Sequence, residues 1–386
     1  MSKSEFIIEV VQNLVEVDGA AWDACAGNEN PFVSYNFLFA LEESKSAVVG
    51  NGWLGQHVLL KSADTEDLLG VVPLYLKNHS QGEYVFDHGW ADAFERAGGQ
   101  YYPKLQSCVP FSPVTGPRLM ARKDTRFEAS QIKNMLVRGM LEVGKRHGVS
   151  NLHVTFCENE DLPLFENEGF LPRYGHQYHW QNKGYSSFDD FLDELTSRKR
   201  KAIRKERKAV LDSGVELKTL TGDDLQTHNW DKFFEFYLDT GSRKWGQPYL
   251  TREFFDQIHQ TMKDRIALVV GFDEGEMICG ALNMVGSNTI FGRNWGCLES
   301  VKHLHFEACY YQAIEFAIEH KLAKVEAGAQ GHHKLQRGYL PTLTYSAHYL
   351  YDKGFSGAVS DYLVRERGAV LEDLDLMRAE SPFKVD

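Results

Sequence analysis

Arg265–Trp295 reads RIALVVGFDEGEMICGALNMVGSNTIFGRNW. Three extended runs stand in it, starting at Arg265, Glu276 and Asn288, each dense in Val, Ile, Leu, Met or Phe. Asp273-Glu274-Gly275 and Gly286-Ser287-Asn288 separate them, and Gly, Asn and Asp tolerate the positive φ that tight hairpins need. Connections this short leave no room for a crossover helix, so the three runs predict an antiparallel meander.

Working outward, GVELKTL from Gly214 alternates as a strand, and helices fit Asp224–Asp239 and Thr251–Met262. Downstream come a helix over Phe306–Glu319, the strand AKVEAG from Ala323, a short helical stretch from His332, a strand over Leu343–Tyr351 and a terminal helix over Asp361–Leu376. The order resembles the GNAT acyltransferase fold: a meander, then a helix, then a strand parallel to the last meander strand. The first half repeats it less cleanly. A strand at Glu5–Val10 precedes helices near Ala20–Ala26 and Tyr35–Glu43, and extended runs start at Gly55, Leu68 and Glu83. An amphipathic helix over Phe127–Arg146 and the strand LHVTF from Leu152 follow. The expected fold is α/β (α+β), two tandem GNAT-like domains with mixed, mostly antiparallel sheets flanked by helices. Residues 1–183 and 214–386 form the domains, and 184–213 a basic helical connector.

The 386 residues are 43% hydrophobic with a net charge of −12, a globular composition that speaks against a general nucleic-acid coat or a polybasic membrane binder. Six scattered cysteines without a CxxC pair read as reduced thiols of a cytoplasmic protein. The N-terminus lacks the pattern of a signal peptide, and no window approaches the roughly 20 apolar residues of a membrane span.

One segment opposes the acidic average. Ser197–Lys208, SRKRKAIRKERK, holds eight basic residues and one acid, Glu206. Phe188, Phe191, Leu192, Leu195, Ile203 and Val210 place an apolar stripe at helical spacing around it. It reads either as a solvated helix face or as a surface for a phosphate-rich partner, a CoA tail, a tRNA or an anionic glycolipid; Arg198, Arg200, Lys201, Arg204 and Lys205 are then the contacts.

The chemistry gathers where the fourth and fifth strands of such a fold part. The strand ending in Arg293, Asn294 and Trp295 and the strand ending in Glu326, followed by Ala327–Gly331, bring polar groups to one end. Acyl transfer to an amine needs a proton acceptor and a pocket for negative charge. Glu326, Glu307, His305 and His333 are the candidate bases, with Glu326, His333 and Glu307 taken as catalytic. Arg293, Lys334 and Arg337 suit a carboxylate or phosphate. Arg293 and Glu326 also read as a mutual ion pair, and Trp295 and Tyr339 as walls. The H-x-H-x-E of His303, His305 and Glu307 has ligand chemistry, but no metal is assigned. A Ser346 hydrolase is disfavoured because no G-x-S-x-G elbow is present.

His305–Tyr349, HFEACYYQAIEFAIEHKLAKVEAGAQGHHKLQRGYLPTLTYSAHY, resembles the FemAB-like family of peptidoglycan biosynthesis or recognition proteins, a branch of the GNAT superfamily. EAGAQGHHKLQRGYLP is its most specific block. Phe32–Glu42, Tyr101–Lys104, Val109–Arg118, Trp245, Tyr249–Phe255 and Gly292–Gly296 extend the resemblance over nearly the whole chain. It implies an acyl- or aminoacyltransferase acting on an amine acceptor. Tyr102, Lys104, Arg118, Trp245, Arg293, Asn294, Trp295, His305, Tyr311, Gln330, Gly331, Lys334, Arg337 and Tyr339 are then the substrate-binding candidates. Two features depart from Fem-type enzymes: 184–213 is too short for their helical-hairpin arm, and His332 stands where an acidic residue is expected. No tightly bound cofactor is expected; the donor is acyl-CoA or aminoacyl-tRNA. Gly296–Phe306, GCLESVKHLHF, lacks the glycine pattern of an acetyl-CoA pyrophosphate turn, which speaks against acetyl-CoA and leaves aminoacyl-tRNA or another activated acyl donor open. A non-catalytic precursor-recognition protein is the competing reading, and a metal-dependent hydrolase a more distant one.

Overall fold

In the computed structural model, which describes residues 5–243 and 248–384, the meander forms as its turns predict. Strands Ile266–Asp273, Glu276–Val285 and Thr289–Cys297 pair antiparallel in sequence order, and Glu216–Thr221 adds to the first. On the other side Thr289–Phe291 runs parallel to Lys324–Glu326, which pairs antiparallel with His179–Gln181. The helical segment Leu304–Glu319 makes the crossover between the two parallel strands. Its Ile314 and Ala317 pack with Trp180, Val325, Leu335 and Tyr339 in one buried cluster.

The other unit repeats the scheme. Strands Phe6–Val11, His57–Ser62, Leu68–Val72 and Met120–Ala121 form one antiparallel sheet. Tyr75–Lys77 pairs with Trp53–Gly55 and with Lys104–Ser107. Lys104–Ser107 in turn lies parallel to Asn151–Cys157, whose other neighbour is Tyr345–Leu350. Helix Ala129–His147 precedes Asn151–Cys157. Its start is fixed by a capping box of Glu128 and Gln131, its end by Gly148 in the left-handed conformation. Ile132, Leu136, Val137, Met140 and Val143 bury its apolar stripe against Val58, Leu69, Leu105 and Leu152. Each unit thus carries the meander, helix and parallel strand of the GNAT order, in a mixed, mostly antiparallel α/β fold.

Two expectations change, and two further elements form. Glu83–Asp87 is not a strand: Gly82 and Tyr84 take positive φ and break the pleat, and Glu83 and Asp87 turn inward to Lys104. After it, helix His88–Arg96 and strand Lys104–Ser107 both form. The contiguous division into 1–183, 184–213 and 214–386 also differs from the packing. One unit comprises residues up to 28, 32–175 and 344–371; the other comprises 29–31, 176–343 and those from 372. The later part of strand Leu171–Gln181 therefore falls in the second unit, and the later part of strand Leu340–Leu350 in the first.

Candidate functional site

The parallel ladder in the second unit ends at Phe291 and Glu326. Past that point Ala327 and Gly328 stay bonded to Tyr178, while Asn294–Cys297 stay paired with Cys279–Leu282. Leu282 faces Asn294 and Asn283 faces Gly292, so Arg293 is the extra residue of a β-bulge. A bulge bends its strand and re-aims the side chain it carries. The expected parting of the strands therefore has a local cause in Arg293.

Glu326 is fully buried and accepts from Lys324 Nζ at 2.7 Å, with Arg293 Nη2 3.7 Å from its other oxygen. Burial alone would raise this carboxyl; His179, Lys324 and Arg293 outweigh it and hold it at about 2. A group so acidic is a weak proton acceptor near neutrality. The Arg293–Glu326 ion pair weighed in the sequence is the arrangement found.

Lys334 is buried, and its ammonium donates to the carbonyl oxygens of Ala327 and Gly328 at the end of the parted strand. Burial first, then Arg293, lowers it to about 8, against an opposing pull from Cys309. Next to it His333 is exposed, with Nε2 2.9 Å from the Tyr310 hydroxyl and its ring beside Phe306 and His305. Desolvation, then Arg337, Lys334 and His332, hold it below the usual imidazole value, so it is neutral near pH 7. Tyr310, pushed up by burial, keeps its proton. Gly331 takes φ +105°, and a Cβ there would lie 2.5 Å from the His333 ring; only glycine lets the backbone pass this close. His305 lies against Trp295 and Tyr310, Asn294 is half-buried, and Gln330 is exposed.

The helix opposite has a π-turn, Glu307–Tyr311, inside Leu304–Glu319. Such an insertion shifts the helical phase, and three of its residues are committed to neighbours. Glu307 is gripped by Arg207, whose guanidinium also binds Glu315, with Nη2 2.9 Å and Nη1 2.8 Å from the two carboxylates. Tyr311 donates to Glu206, and Tyr310 meets His333. Arg337 makes a fork to Glu206, at 2.7 and 3.2 Å, and lies 3.5 Å over the Phe306 ring. Tyr339 is core, its hydroxyl donating to Tyr310 O at 3.0 Å. Glu307 and Arg337 are thus engaged in fixing the basic helix, where the sequence read them as a base and an anion holder.

Ile203, Glu206, Arg207 and Val210 stand at i, i+3, i+4 and i+7 of helix Ser197–Leu211 and form its packed face. Sequence reasoning passed over Glu206 and Arg207. The signal was there: the lone acid of a basic run shares the register of the apolar stripe. Arg200 and Arg204 make exposed ion pairs with Asp193 and Asp189. Arg198, Lys201 and Lys205, on the exposed face, have no ion pair among the described residues.

Tyr102, Lys104 and Arg118 belong to the first unit. Lys104 is fully buried and donates to Ser80, Glu83 and Asp87 at 2.6–2.7 Å. Tyr102 meets Ser80 at 2.8 Å. Arg118 is buried and donates to the carbonyls of Val114, Gly116, Pro117 and Thr155. The Arg293–His333 group belongs to the other unit. Trp245 lies outside the described residues. Among the described residues no three His, Cys, Asp or Glu side chains are placed to hold a metal, His303, His305 and Glu307 included, and no helix is long and apolar enough to cross a membrane.

A meander, a bulged fourth strand and a parted parallel fifth strand define a protein of the GNAT fold class. Within that class the chain belongs to the FemAB-like family, described as peptidoglycan biosynthesis/recognition, which it matches over residues 13–385. Among solved structures it resembles FemX, with TM-score 0.54 and 11% identity, covering 92% of this chain and all of that one. It also resembles L-PGS from Bacillus licheniformis, with TM-score 0.51 and 12% identity, covering 84% of this chain and 95% of that one. At such identities the likeness is one of fold. No curated protein matches the chain in sequence.

Proposed function

We propose that the chain transfers an acyl or aminoacyl group to an amine at the parted strand end of the second unit. The observation that carries the reading is an exposed His333, bonded to Tyr310, beside a buried Lys334 that donates to the carbonyls at that end. In the reaction the amine nitrogen attacks the donor carbonyl carbon. The Tyr310–His333 pair takes up the amine proton and returns it to the leaving oxygen or sulfur as the carbonyl–leaving-group bond breaks. Lys334 offsets the charge developing on the carbonyl oxygen. Arg293 and Glu326 hold the bulged strand, and Glu307, Glu206 and Arg337 hold the helices around it.

The family's peptidoglycan description supports a cell-wall precursor amine as acceptor. An aminoacyl-tRNA donor is supported by the exposed cations Arg198, Lys201 and Lys205 and by the missing pyrophosphate turn at Gly296–Phe306. The reading is tested by incubating purified protein with an amine-bearing precursor and either aminoacyl-tRNA or acyl-CoA, and weighing the product by mass spectrometry. Transfer from one donor, lost in His333→Ala with the fold intact, is expected. Precursor binding with no turnover from any donor would favour the recognition protein instead.

A further inference from the structure

The sequence scatters its cysteines, but the fold brings two of them face to face. Cys279 and Cys297 are directly opposed in register on the antiparallel strands Glu276–Val285 and Thr289–Cys297. Opposed residues send their side chains to the same face, with Cα atoms about 4.5–5.5 Å apart. That spacing lies within the roughly 4.4–6.8 Å range a disulfide spans. The two thiols share one buried cluster with Val210, Val215 and Leu304, and Cys297 Sγ donates to the Glu299 carbonyl at 2.9 Å. Gly271, opposite Cys279 on the next strand, makes room: a Cβ there would lie 2.6 Å from the Cys279 sulfur.

The two sulfurs are not equivalent. Interaction with the Cys279 thiol, against the burial that opposes it, lowers Cys297, and the same interaction together with burial raises Cys279. Cys297 is the candidate nucleophile, because the thiolate is the reactive form. It also ends its strand, with exposed Leu298 beyond it, whereas Cys279 is fully enclosed.

We propose that Cys279 and Cys297 form a peroxide-responsive thiol pair that closes to a cross-strand disulfide. The Cys297 thiolate attacks one oxygen of a hydroperoxide; the O–O bond breaks, an alcohol (water, for hydrogen peroxide) leaves, and Cys297 becomes a sulfenic acid. The Cys279 sulfur then attacks the Cys297 sulfur. The S–O bond breaks, and hydroxide leaves as water with the Cys279 proton. In sum one hydroperoxide and two thiols give one disulfide, one alcohol and one water. The bond would pin the strand end that follows Arg293–Trp295. The pair does not depend on which reaction the site performs.

The test is a non-reducing tryptic map of the full chain after hydrogen peroxide, with free thiols alkylated first. Arg293 separates the two cysteines into peptides Ile266–Arg293 and Asn294–Lys302, while Cys309 falls in a third. Two of the six thiols are expected to disappear into a species joining those two peptides, restored by dithiothreitol. In Cys279→Ser the reaction is expected to stop at a dimedone-trappable sulfenic acid on Cys297. A crosslink through Cys309, or six alkylated thiols in the peroxide-treated wild type, would overturn the proposal.

Discussion

His333 and Glu326 show how one pocket separates two candidate bases. Both were plausible from residue type alone. Their surroundings distinguish them: His179, Lys324 and Arg293 outweigh burial and hold Glu326 at about 2, while burial, then Arg337 and Lys334, hold His333 below the usual imidazole value. Replacing His333 by Ala is expected to lower kcat by about 10²- to 10⁴-fold, the usual contribution of a proton-transfer group, with near-native melting because the ring is exposed. Glu206 makes the converse case. Glu206→Ala strips Arg337 of its fork and Tyr311 of its acceptor. A half-buried charged network broken on one side costs about 2–3 kcal/mol, which urea denaturation would register as a lower midpoint at unchanged slope. The nomination of polar types near Arg293–Trp295 and Glu326–Arg337 was legible in the sequence. Which of them face each other was not, because burial and ion pairing depend on strand 171–181 and helix Ser197–Leu211, both distant in sequence.

At the scale of elements, the meander was readable because hairpin turns and alternating residues are local signals. Lys104–Ser107 was not: four residues, all buried, carry no alternation. The basic helix was legible as a helix, but its inward face was read for its apolar residues only, whereas Glu206 and Arg207 seat it as firmly. Its outward stripe makes an electrostatic prediction. Changing Arg198, Lys201 and Lys205 together to Ala is expected to leave stability within about 0.5 kcal/mol and to reduce the log–log salt slope of tRNA binding by about 2–3. A slope unchanged in filter binding would remove the helix from the donor site. Neighbouring strands supply a second prediction. His153 and His348 are opposed in register, buried, and joined Nδ1 to Nδ1 at 2.6 Å. Burial lowers His153 from 6.5 to about 4 and His348 further. The unfolded chain therefore binds protons more readily than the folded one between pH 6.5 and 4. Stability falls as pH drops through that window, by about 3 kcal/mol for His153 alone. Thermal melting against pH would show it, and His348→Gln should flatten part of the slope.

Across the whole molecule, the fold repeats one scheme twice, and the repeat was visible as an order of elements rather than as shared residues. That the unit boundaries fall inside strands 171–181 and 340–350 was not visible, since a strand reads alike whichever unit its residues join. The two units have diverged in what stands at their parallel strands. In the first, Lys104, Glu83 and Asp87 form a buried ionic cluster where the parallel ladder begins; in the second, the far end of the ladder carries an exposed His333 and a Lys334 that donates to two carbonyls. The exposed His333 bonded to Tyr310 supports placing the proposed chemistry in the second unit. The most direct measurement is single-turnover transfer from aminoacyl-tRNA or acyl-CoA to an amine-bearing precursor, for the wild type, His333→Ala and Lys104→Met. The account predicts transfer in the wild type, its loss in His333→Ala, and its retention in any folded Lys104→Met protein. Undiminished transfer in His333→Ala, or loss confined to a folded Lys104→Met, would contradict it.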